Sequence, residues 1–199
     1  LLRRAIIAVR LLLLGWAISF CFITPAYADI GLPMIFVTVP NMLLAIVPVI
    51  GLESYILSKK LKLTPKRSLV TSAVVNVAST FIGIPVSWFV LALLQIMTGG
   101  GRAYGINTLM QKLLSVTWQA PWLIPYESSY YWMIPAALCF LLIPFFFVSW
   151  LIEYMLARRI LLDVPFQEVK KAVFIANLAS YGGLLVIGLF ILTVTILRQ

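Results

Sequence analysis

The chain has 199 residues, of which 63% are hydrophobic and 11% charged, and its mean hydropathy is +1.08. A soluble domain carries about 25% charged residues, so this composition excludes an ordinary water-soluble globule and makes lipid the natural solvent. The net charge of +9 comes from 15 Lys and Arg gathered beside apolar runs, a pattern that orients membrane spans and argues against nucleic acid as a partner.

Residues 1–28 read as a secretory signal. Arg3, Arg4 and Arg10 form a basic start, Leu11–Ile23 is the apolar core, and Ala26-Tyr27-Ala28 supplies small residues before Asp29. The core is short for a span, which needs about 20 apolar residues; an uncleaved, tilted N-terminal helix is the other reading. In either case the arginines stay in the cytoplasm and set the orientation.

Four spans are then expected. The first covers about residues 30–57, with an irregular start and a kink near Pro48 expected from Pro33, Pro40 and Pro48. A basic loop, Ser58–Ser68, carries Lys59, Lys60, Lys62, Lys66 and Arg67, and the second span covers about 69–97. Residues 102–131 are the long external segment. Ile106, Leu109, Met110, Leu113 and Val116/Thr117 recur at helical spacing opposite Asn107, Gln111, Lys112 and Ser115, which predicts an amphipathic helix in the membrane interface. Trp118, Trp122, Tyr126, Tyr130, Tyr131 and Trp132 follow as an aromatic belt at headgroup depth, in preference to a sugar-binding surface. The third span covers about 133–156, the second basic loop Arg158–Lys171, and the fourth span about 172–197.

The expected fold is therefore an all-α integral membrane protein. It comprises a signal or N-terminal anchor (1–28), a first helical hairpin (29–101), the external segment (102–131) and a second hairpin (132–199). With Asp29 outside, both basic loops fall in the cytoplasm and the C-terminus outside. Lys59, Lys60, Lys62, Lys66, Arg67, Arg158, Arg159, Lys170 and Lys171 then lie inside, leaving Arg102, Lys112 and Arg198 outside. That agrees with the orientation taken from the signal, and places the chain in a bacterial inner membrane. The same basic residues, Lys62 apart, are expected to meet anionic lipid headgroups.

The two hairpins share a motif. Residues 53–83 and 153–183 each run Glu, Tyr, a basic pair, Leu, Pro, a second basic pair and Asn-x-x-Ser. Two intervening spans give both copies the same orientation, so this reads as a parallel repeat about an axis near the membrane normal. Positive-inside loops resemble one another by necessity, but that does not account for the Glu at entry and the Asn-x-x-Ser at exit. The candidate polar or ion site is Glu53, Asn76, Ser79, Glu153, Asn177 and Ser180. A carboxylate near a helix C-terminus faces the negative end of the dipole, and Lys59 and Arg158 are wrongly spaced to pair with it. Each Glu is therefore expected to find the Asn of its neighbouring span, Glu53 with Asn76 and Glu153 with Asn177. Two readings follow: a lock between helices, helped by glutamates shallow enough to reach water, or a proton or cation site. Ser72, Asn76 and Thr80, and Ala172, Ala176 and Ser180, form small-residue stripes for close helix approach, while Gly182, Gly183 and Gly188 mark the last span as deformable.

Enzyme templates are not met. There is no phosphate-binding glycine loop, no HExxH and no GxSxG, and no His at all. Cys21 and Cys139 are the only cysteines, so neither a disulfide framework nor a Cys-ligated metal is expected, and no cofactor is implied. The sequence predicts a non-catalytic structural or accessory membrane component, self-associating or docked to a larger membrane assembly. The alternative is a small transporter or channel for protons, cations or a small solute.

Overall fold

A computed structural model describes residues 34–99, 105–120 and 129–198. The expected signal segment, Asp29, Arg102, Trp122 and Tyr126 lie outside the described residues. All five helices among the described residues, and no strands, make up the fold: α1 (Met34–Leu61), α2 (Pro65–Gly99), α3 (Leu109–Thr117), α4 (Tyr130–Ile160) and α5 (Phe166–Leu197). Three stretches, Pro65–Met97, Tyr130–Ile160 and Phe166–Leu197, are long and apolar enough to cross a bilayer, each holding an 18-residue window of mean hydropathy 2.1, 2.3 and 2.2 respectively. They point to a membrane environment.

The helices run further than the charge pattern implied, and the expected loops shrink to 62–64 and 161–165. Lys59 and Lys60 close the last turn of α1, and Arg158 and Arg159 the last turn of α4. Cations there complement the negative end of the helix dipole, so a basic pair extends the helix rather than ending it. Pro65 opens α2, a position where its missing N–H costs nothing. Lys62, at φ 52°, makes the left-handed turn between them. At the N-terminus of α2, a poor place for a cation, Arg67 is held by both oxygens of Asp163 in the other turn. The first helix continues without a break through Pro48.

Contacts close the four long helices into a ring. Helix α1 packs on α2 and α5, and α4 packs on α2 and α5. Leu57, Leu61, Val75, Ala157, Leu161, Val169, Ala172 and Val173 form a buried apolar plug at the end nearest the two turns. The α4–α5 pair is further locked by edge-on aromatic contacts of Phe146 with Phe174 and Tyr181, and of Trp150 with Phe174. Lys59 lies over Tyr55, and Lys170 over Trp150.

The amphipathic helix is present as α3. Thr108 and Gln111 form a reciprocal capping box at its start. Leu109, Met110 and Leu113 are exposed, while Val116 packs against α4 with Met133, Ala137 and Leu141. Ser115, expected on the polar face, is buried instead and satisfies its hydroxyl on the Lys112 carbonyl. In α5, Gly182 and Gly183 face open space, but a Cβ on Gly188 would stand 2.9 Å from Cys139 Sγ. Gly188 is therefore a contact glycine between α4 and α5 and not a point of softness.

Two outcomes follow from this packing. Gly188→Ala should lower stability by about 1–3 kcal/mol through overpacking, and Cys139→Ala should restore most of it, as read by thermal unfolding in detergent. The Arg67 hydrogen bonds hold the exposed Asp163 carboxyl down at about 2, against its ordinary 3.8. A depressed acid contributes stability that is present above its unfolded value and lost as pH falls toward its folded one. Unfolding midpoints should therefore drop between about pH 4 and 2 by more in the wild type than in Asp163→Asn, and equal drops would rule the contact out as a contributor.

Candidate functional site: a crossed glutamate pair

Glu53 and Glu153 lie about two helical turns before the ends of α1 and α4, at 1% and 2% exposure. Both are closed off from solvent inside the bundle, which is not the exposure the snorkelling reading required. The apolar plug lies between them and the turns, beginning with Leu57 and Ala157 one turn further along each helix.

Both Glu–Asn pairings read from the sequence are present. Asn76 Nδ2 donates to Glu53 Oε2 at 2.5 Å, and Asn177 Nδ2 donates to Glu153 Oε2 at 2.7 Å. Each bond lies within one hairpin, α1 to α2 or α4 to α5. The other carboxyl oxygens are taken by serines from the opposite hairpin. Ser180 Oγ donates to Glu53 Oε1 at 2.6 Å, and Ser79 Oγ donates to Glu153 Oε1 at 2.8 Å. The two carboxyl groups also lie within interaction range of each other. Exchanging 53 with 153, 76 with 177 and 79 with 180 maps this set of hydrogen bonds onto itself.

Helical spacing explains the arrangement. Asn and Ser three residues apart share a face, so one helix offers an amide to its own hairpin and a hydroxyl to the other. The ring order makes this possible, because α2 and α5 each touch both glutamate-bearing helices. All six candidate residues are buried and meet at one place. The eight candidate lipid-contacting cations do not join them. The one ion pair among the described residues is Arg67–Asp163, out in the turns.

Further polar groups surround the pair. Ser72 Oγ donates to the Ile50 carbonyl, and Ser54 and Ser68 pair at 3.3 Å toward the turns. On the other side, Tyr181 donates to Ser149 Oγ at 2.8 Å, one turn before Glu153 on α4. Sequence reading missed Ser149 and Tyr181. A hydroxyl four residues ahead of the second glutamate was the available signal for the first; Tyr181 had none. Asn177 Oδ1 at the pair is buried without a hydrogen-bond partner, as are Thr71 Oγ1 toward the turns and, much further along α2, Ser87 Oγ and Gln95 Oε1. Among the described residues no group of three or more Asp, Glu, Cys or His is placed to hold a metal ion.

No family model, curated protein or solved structure matches the chain. The site must be interpreted from its own chemistry. It offers two carboxyl groups, four neutral donors and no fixed cation, a composition suited to a positive charge or a proton rather than an anion.

Removing an amide donor leaves a buried carboxyl oxygen unpartnered, a loss of about 1–3 kcal/mol. Asn76→Ala and Asn177→Ala should each destabilise by that order in a detergent unfolding assay, and by similar amounts. Neutral effects would contradict the pairing.

Proposed function

We propose that this chain is a small four-span membrane transporter or channel in which Glu53 and Glu153 form a shared proton-binding centre. The observation that carries this reading is the burial of two carboxyl groups in one site whose hydrogen-bond partners are all neutral. A buried carboxylate without a cation is strongly penalised, so such a pair is neutralised by a proton or a bound cation. If the only role were to tie helices together, Asn or Gln would do it without that penalty. Ser68, Thr71 and Ser72 line α2 between the turns and the pair, giving a polar approach beside the apolar plug.

In this proposal α1 is the fourth span, at 28 residues about 42 Å long. The two hairpins are a parallel repeat, supported by the shared motif and by the exchange symmetry of the hydrogen bonds. Residues 1–28 act as signal or anchor. The turns face the cytoplasm of a bacterial inner-membrane protein and the C-terminus lies outside, with α3 in the external interface. Lys59, Lys60, Lys66, Arg67, Arg158, Arg159, Lys170 and Lys171 contact anionic lipid headgroups. Exposed apolar residues on the outer half of α5, such as Val186, Ile187 and Phe190, face lipid or a second copy.

The second reading is a structural or accessory component docked to a larger assembly. It is favoured by the same crossed bonds, which tie all four long helices together at one point.

Proteoliposomes with an internal pH-sensitive dye and an imposed potassium diffusion potential separate these readings. The proposal predicts proton flux above that of empty vesicles, lost in Glu53→Gln and in Glu153→Gln at unchanged expression. No flux in the wild type, with lowered abundance or release of a bound partner in mild detergent for the same variants, would establish the accessory role instead.

A further inference from the structure

The hydrogen-bond geometry fixes more than the presence of a proton. Each asparagine amide nitrogen has two hydrogens, and both are used: one on its glutamate, the other on the carbonyl one turn back. For Asn76 that carbonyl is Ser72 O at 3.1 Å, and for Asn177 it is Val173 O at 3.2 Å. Flipping either amide would set its oxygen against a carbonyl oxygen, so the nitrogen must face the glutamate. Oε2 of each glutamate is therefore already engaged as an acceptor, which leaves Oε1, facing a hydroxyl that can turn, as the oxygen placed to take the proton.

The serines differ. Ser79 Oγ lies 2.8 Å from Glu153 Oε1 and 3.1 Å from the Asn76 carbonyl. Ser180 Oγ lies 2.6 Å from Glu53 Oε1 and 3.1 Å from the Asn177 carbonyl. A hydroxyl has one hydrogen and two lone pairs, so it cannot donate to both neighbours at once. With the hydrogen on the carbonyl, the short contact to the glutamate needs a proton on Oε1. With the hydrogen on the glutamate, Oε1 carries no proton.

We infer that each glutamate takes its proton on Oε1, so that proton binding reverses the two hydrogen bonds joining the hairpins and leaves the two within them unchanged. In the loaded state Oε1–H donates to the serine and the serine donates to the asparagine carbonyl. On release the O–H bond of the acid breaks, the proton leaves to water, and the hydroxyl turns to donate to the carboxylate. No heavy atom has to move. Ser79 and Ser180 are positioning residues for the transferred proton, and they lie on the interface that would open if the hairpins rock against each other. The titratable groups facing the pair are each other, across the ring, and Tyr181 from α5, whose hydroxyl is committed to Ser149. From α2 only the neutral Asn76 and Ser79 hydrogen-bond to the pair.

This inference rests on the proposed proton-binding role, and infrared difference spectroscopy can test it separately. Full-length protein in phosphatidylcholine vesicles is stepped between acid and alkaline pH. The expected result is a carboxylic-acid carbonyl band that disappears in the Glu53→Gln/Glu153→Gln double variant. That variant stays folded, because the Gln amide can donate to serine as the acid does. The band should change frequency in Ser79→Ala and Ser180→Ala, return in Ser79→Thr, and stay put in Ser54→Ala. Where an alanine variant fails to assemble, Ser79→Cys or Ser180→Cys keeps the volume, weakens the acceptor and should shift the band likewise. A band unmoved by every substitution at 79 and 180 would overturn the assignment of the proton to Oε1, while flux lost in Glu53→Gln would leave the transport reading standing. No carboxylic-acid band at any pH would overturn both.

Discussion

A carboxyl group placed inside a helix bundle has to be given its hydrogen-bond partners by other helices, because its own backbone is already committed. In this chain that requirement is met twice at one point, and the rest of the packing follows from it. Glu53 and Glu153 each need two donors, and α2 and α5 each supply an amide and a hydroxyl three residues apart. Because the hydroxyl reaches the other hairpin, neither half can satisfy its own glutamate. The crossed pattern therefore matches the ring order of the four long helices and the small residues at their convergence. Ser72, Ala172 and Ala176 are buried where α1, α2, α4 and α5 converge.

The surroundings divide the bundle into zones with different physics. Toward the turns, the apolar plug and the Arg67–Asp163 contact hold the hairpin ends together. Next to the pair, on the side away from the plug, Tyr181, Ser149 and an aromatic group hold α4 to α5. Further along, α5 exposes most of its apolar surface, and α4 packs instead against α3. Between the hairpins the contacts are apolar at the plug, ionic at Arg67–Asp163 and hydrogen-bonded at the glutamate pair. The polar centre lies where the two hairpins meet, which suits the proposed role in which proton binding biases that contact.

The Glu–Asn pairs were legible in the sequence because both partners lie on consecutive helices and at matching spacing in two places. The crossing to Ser79 and Ser180 was not. Spacing along a helix says which side chains share a face, but not which of two neighbouring helices a hydroxyl will reach. The helix ends were misjudged by about four residues, since a basic pair looks the same in a loop as in a last helical turn, where the dipole favours it. Burial of the glutamates was underestimated for the same reason: longer helices carry them deeper. Gly188 could not be distinguished from Gly182 and Gly183 by sequence, because a contact glycine is defined by the atom opposite it, here Cys139 Sγ.

The claim on which the account stands is that residues 127 and 74 positions apart are joined in one hydrogen-bonded centre. A double-mutant cycle on reversible unfolding in lipid or detergent measures it directly, pairing Glu53→Ala with Ser180→Ala and Glu153→Ala with Ser79→Ala. The account predicts a coupling in both cycles of about 0.6 kcal/mol or more, the scale of hydrogen bonds between membrane helices. Strictly additive effects in both cycles would contradict it.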